Sequence, residues 1–110
     1  MSGVWHIAKM FFDWTPHTLP ADAREDNGFL LVVPQLHPEI VYLNEVAAFI
    51  LGQCDGKLTV LDILKRYMVR NLRSDRSAAA WEVLKVLRML ERRLVVDFLP
   101  PAQDAPAGDR

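Results

Sequence analysis

Ile40-Val41-Tyr42-Leu43-Asn44-Glu45-Val46-Ala47-Ala48-Phe49-Ile50 is the stretch that decides the fold. Its first four residues are β-branched, aromatic or aliphatic, the composition of a short half-buried strand. Asn44 then supplies a helix N-cap, because its side-chain oxygen can accept an otherwise unpaired backbone N–H two or three residues on. Glu45 places a negative charge in the first turn, where the helix dipole favours it. Val46, Ala47, Ile50 and Cys54 fall on one face at helical spacing. Gly52 and Asp55-Gly56 mark the exit, a glycine being able to take the left-handed conformation that ends helices. A strand therefore runs into a helix at Asn44 with no loop between.

Upstream, Phe29-Leu30-Leu31-Val32-Val33 reads as a strand stopped by Pro34, which has no N–H for a ladder. Asn27-Gly28 in front of it has the chemistry of a tight turn, since both residues tolerate positive φ. Residues 5–14 are aromatic and branched and are expected to form a first strand. Thr15 to Asn27 carries Pro16, Pro20 and the charged run Asp22–Asp26, and is expected to be a loop. Three successive short strands make an antiparallel meander.

Downstream, Thr59 with Asp62 three positions later resembles a capping box, with Asp in place of the usual Glu. Val60, Ile63, Leu64 and Tyr67 recur at helical spacing, while Lys65, Arg66 and Arg70 face away. After a polar joint at Asn71–Asp75, a third and longest helix is expected from about Arg76 to Arg93. Val83, Leu84, Leu87, Leu90 and Leu94 form its core stripe, and Trp81, Lys85, Arg88 and Arg92 a second stripe. Leu94 to Leu99 is a candidate terminal strand. The expected fold is α+β and winged-helix-like: a three-stranded antiparallel sheet followed by a three-helix bundle, β-β-β-α-α-α. One domain is expected over residues 1–99, with a disordered Pro/Ala-rich tail over 100–110.

The 110 residues are 51% hydrophobic and 25% charged, a balance that fits a globular domain with a core. The single cysteine excludes an internal disulfide framework and suits a reducing compartment. The N-terminal apolar run is broken by His6, Lys9 and Asp13, unlike a signal peptide, and no apolar run reaches the ~18 residues that span a bilayer. A cytoplasmic protein is expected, with no membrane partner. Net charge is −1, but residues 57–93 hold ten basic against four acidic residues, a balance of +6, and the remainder carries −7. Such asymmetry suits a local anionic partner, or a solvated helical surface. The three histidines are far apart and far from Cys54, so no zinc spacing exists. There is no phosphate-cradling glycine loop and no Gly-x-Ser-x-Gly elbow. Cys54, on an apolar helix face, reads as a small buried hydrophobe. No catalysis and no cofactor are expected.

Residues 29–69 resemble the PqqD family. The resemblance lies in Phe29-Leu30-Leu31-Val32-Val33-Pro34, then Pro38-Glu39-Ile40-Val41-Tyr42-Leu43-Asn44, then Ala47-Ala48, Ile50-Leu51, Cys54-Asp55-Gly56 and Thr59-Val60 with Ile63. No single piece is specific; their order is what carries the likeness. The chain departs from the family pattern in three places. The stretch Thr15–Asn27 is long, no Arg-Gly opens the first strand, and Glu91-Arg92-Arg93-Leu94 stands where a glycine turn is typical. The resemblance implies a non-catalytic peptide chaperone, a recognition element that binds the leader of a ribosomally synthesised precursor peptide. It would present that leader to a modifying enzyme such as a radical-SAM maturase. It further implies that the leader adds as a strand to Ile40–Leu43 and packs against the third helix.

The residues support that mode on their own terms. An edge strand has unpaired N–H and C=O groups that template another strand. Either Val41 and Leu43 point inward and Ile40 and Tyr42 outward, or the reverse; periodicity leaves both open. Trp81 offers an apolar anchor beside Leu84, or closes the core where the helix begins. Lys85, Arg88 and Arg92 can meet acidic leader side chains, or form a solvated face. The candidate peptide-binding residues are thus Ile40, Val41, Tyr42, Leu43, Trp81, Leu84, Lys85, Arg88 and Arg92. The second reading is a winged-helix DNA-binding protein with the basic third helix as reader. That helix lacks an Asn/Gln/Arg cluster at its start, which disfavours nucleic acid. A homodimer pairing through the same edge is a third.

Overall fold

The computed structural model describes residues 2–72 and 75–101, with side chains from His6 onward. It is a small α+β domain in the order α1 (Ser2–Lys9), β1 (Thr15–Thr18), β2 (Ala21–Asp26), β3 (Phe29–Pro34), β4 (Val41–Leu43), α2 (Glu45–Gly52), α3 (Val60–Arg70), α4 (Arg76–Arg92) and β5 (Val96–Leu99). Strands β2, β3 and β4 form an antiparallel sheet in that order, and β1 pairs with β5 in a separate two-stranded sheet. The tail expected to be disordered lies outside the described residues from residue 102 on, as does part of the joint between α3 and α4.

Two expectations about the N-terminal third are overturned. Residues 5–14 are not a strand: α1 covers Ser2–Lys9, and turns closed by Met10 N–H on Ile7 C=O and Phe11 N–H on Ala8 C=O follow it. The branched and aromatic composition is overridden by packing, since α1 lies against α4 with Ala8 buried in the core. Thr15–Asn27 is not a loop either. It holds β1 and β2, and β2 pairs with β3 along its whole length, from Ala21↔Pro34 to Asp26↔Phe29. The charged run that looked like a loop is an edge strand, and charged side chains are what keep such an edge from recruiting another chain. The sheet's first strand is therefore Ala21–Asp26 in place of residues 5–14, and the described residues run α-β-β-β-β-α-α-α-β rather than β-β-β-α-α-α.

Local chemistry accounts for the rest. Asn27 (φ 51°) and Gly28 (φ 84°) are the two residues of the β2–β3 turn, both in the left-handed region that such a turn requires. Asn44 caps α2 by accepting from Ala47 N–H at 2.9 Å. At α3, Thr59 Oγ1 accepts from Asp62 N–H while Asp62 Oδ2 accepts from Thr59 N–H, at 3.2 and 3.1 Å. The next two orphan donors are met from far away in sequence: Val60 N–H donates to Trp14 C=O and Leu61 N–H to Phe12 C=O. The segment after α1 thus completes the N-terminus of α3.

Helix α4 ends without glycine. Leu94 N–H donates to Glu91 C=O and Val95 N–H to Leu90 C=O, the paired bonds of a Schellman motif, with Leu94 itself at φ 57°. Leu94 consequently leaves the core stripe and is partly exposed, and Val95 takes the buried position. Leu43, Ile50, Ile63, Leu64, Leu87 and Leu90 form the centre of the core, between the inner face of the sheet and helices α2, α3 and α4.

Candidate functional site

β4 lies at the edge of its sheet, paired only with β3 through Leu30↔Leu43, Leu31↔Tyr42 and Val32↔Val41. Among the described residues nothing pairs with its other side. The core fixes its orientation: Val41 and Leu43 point inward and are buried, Leu43 to 1%, while Tyr42 is 63% and Ile40 49% exposed. Val41 and Leu43 can therefore serve a ligand only through their backbone, and Ile40 and Tyr42 through their side chains.

The second stripe of α4 lines a groove of about 600 Å³. Trp81, Leu84, Lys85, Arg88 and Arg92 all border it, with Val60 and Leu87 among the core residues that line it. Trp81 is 56% exposed, so it does not close the core. Lys85 pairs with Glu82 at 3.3 Å and Arg88 with Glu91 at 3.6 Å, both exposed pairs one helical turn apart that solvent screens. Arg92 makes no ion pair among the described residues.

The rest of the lining was not anticipated. Ile7, Phe11, Trp14 and Phe98 also border the groove, with Phe11 and Trp14 rings 6.5 Å apart. The clustered aromatics of Phe11-Phe12-Asp13-Trp14 were a signal of an apolar surface. Reading them as strand hid which surface they built.

The structure does not bring all nine candidate residues into one recess. None of Ile40–Leu43 lines the α4 groove, and Ile40 instead borders a recess on the outer sheet face with Asp22, Arg24, Leu31 and Val33. The two parts are linked at one point. Arg93, which lines the groove, pairs with Glu39, two residues before β4.

Cys54 and Asp55 are occupied structurally. Cys54 is buried, its thiol donates to Ile50 C=O at 3.4 Å, and burial together with nearby Asp55 pushes its pKa up to about 12. Such a thiol is not a nucleophile at neutral pH. Asp55 accepts the N–H groups of Leu58 and Lys57, at 2.9 and 2.8 Å, and these bonds lower its pKa. Among the described residues no cluster of three His, Cys, Asp or Glu could hold a metal ion, and no helix is long and apolar enough to cross a membrane. No protein-family model, curated protein or solved structure is significantly similar to the chain.

Proposed function

We propose that this protein is a PqqD-like, winged-helix-like peptide chaperone. It takes the leader of a ribosomally synthesised precursor peptide as an added strand on β4 and presents it to a modifying enzyme, a radical-SAM maturase being the expected kind. The observation that carries the reading is the edge of β4, unpaired among the described residues, anchored by the burial of Val41 and Leu43 and followed at once by α2. Main-chain hydrogen bonds supply affinity in such an arrangement, and side-chain pockets supply choice. The order from Ala21 to Arg92, three antiparallel strands and then three helices, supports it as well.

The α4 groove is a second contact for the same peptide. A leader that passes the Ile40 end of β4 meets the Glu39–Arg93 pair, and a leader carboxylate there competes with Glu39 for the guanidinium. Beyond it lie Arg92, Arg88 and the exposed ring of Trp81. Charges of this kind raise the association rate and fix register more than they raise affinity. Dissociation constants at or below ~1 μM, about −8 kcal/mol, are expected. The test is calorimetric titration with any short peptide that a gene adjoining that of this protein encodes, against wild type and an Arg88→Glu, Arg92→Glu variant. The proposal expects wild-type binding that weakens with salt and in the variant. Absence of binding, or steep salt-dependent binding of duplex DNA in its place, contradicts it.

A further inference from the structure

The two edges of the three-stranded sheet are unlike. On the outer face, residues 22, 24 and 26 of β2 are Asp22, Arg24 and Asp26, all exposed. The matching face of β3 presents the exposed Phe29 and Val33 with the buried Leu31 between them, and at the other edge stand the exposed Ile40 and Tyr42. The register sets these in rows across the sheet. Arg24, Leu31 and Tyr42 form one, and Asp22 and Val33 continue toward Ile40 in the next, where Leu31, Val33 and Ile40 border a common recess. One edge is thus protected by charge, whereas the apolar surface runs out to the other edge and stops there exposed.

From this contrast we infer that Ile40 and Tyr42 select the sequence of the added strand, which carries aromatic or β-branched residues at two outward positions, i and i+2. The inference rests on strand addition at β4. A strand laid there continues the rows, and its outward side chains stand about 5 Å from those of Tyr42 and Ile40. Only an extended segment satisfies the edge and the face together, because a docked helix leaves the backbone groups of β4 unpaired. Successive side chains of a strand alternate between faces, so the two selected positions are two apart and the one between them is free of this demand.

Two N-acetylated, fluorescein-labelled dodecapeptides test this, both with Lys at the ends and Thr at alternate positions. One has Tyr and Val at the two central intervening positions and the other has Gln at both. Affinity is read by anisotropy and location by the amide shifts of residues 41–43, on wild type and on an Ile40→Thr, Tyr42→Thr variant whose fold is checked by circular dichroism. Two cross-strand pairs correspond to about 2- to 30-fold tighter binding of the Tyr/Val peptide. That preference should vanish in the variant. Equal affinities with shifts at residues 41–43 overturn the inference and leave strand addition standing, and a preference that survives in the variant also overturns it. If neither peptide moves residues 41–43, strand addition and the inference fall together.

Discussion

Replacing Leu43 and its neighbour Tyr42 by alanine, one at a time, tests the orientation of β4 on which the site depends. Leu43 is 1% exposed and packed among the largest core side chains. Leu43→Ala removes three carbons, about 2.4 kcal/mol at ~0.8 kcal/mol per buried methylene. The unfilled cavity brings the cost to about 3–5 kcal/mol. Tyr42 is 63% exposed and opposite Leu31, so Tyr42→Ala loses a cross-strand contact of about 0.2–1 kcal/mol. Because a domain of this size has about 5–15 kcal/mol in total, the first change removes a large fraction and the second little. Urea unfolding followed by circular dichroism measures both, with equal m values showing that the unfolded states are comparable. Near-equal costs, or a larger cost at Tyr42, would refute the orientation, since a slip of one residue exchanges the two faces.

Two further outcomes follow from the surroundings. Thr59→Ala should cost about 1–2 kcal/mol in the same assay and Thr59→Ser little, because the capping pair with Asp62 at the start of α3 survives only with a hydroxyl. Cys54 should resist thiol reagents at neutral pH until the protein unfolds. Its folded pKa, about 12, lies above the ordinary 9.0, so the unfolded state releases its proton first as pH rises. The stability due to the neutral buried thiol is full below pH 9 and falls between about 9 and 12, by up to about 1.4 kcal/mol per pH unit. A Cys54→Ala variant should lack that component, and an identical alkaline profile would contradict the assignment.

Legibility followed how local the determinants were. β3, β4 and the three following helices announce themselves through Asn27-Gly28, the caps Asn44 and Thr59, and apolar spacing, all of which act within a few residues. The N-terminal third does not. Whether residues 5–14 are strand or helix depends on α4, some seventy residues away, and the charged residues of β2 mean loop or edge strand according to what pairs beside them. For the site, the short strand before Asn44 and the Trp81, Lys85, Arg88 and Arg92 stripe of α4 were each legible. Their separation was not, because the far wall of the α4 groove comes from Ile7, Phe11, Trp14 and Phe98, which no local pattern joins to Trp81. Tyr42 illustrates the same limit: alternation marks it as opposite to its neighbours, and only the core says which side is in.

Amide hydrogen exchange at Val41, Tyr42 and Leu43, with and without the peptide proposed as partner, addresses strand addition most directly. The amides of β4 that point away from β3 have no backbone partner among the described residues and should exchange readily in the free protein. Saturating peptide should slow them, while residues 22–26 on the opposite, charged edge stay unchanged. Protection confined to residues 81–92 or to β2, with residues 41–43 exchanging as before, would contradict strand addition at β4.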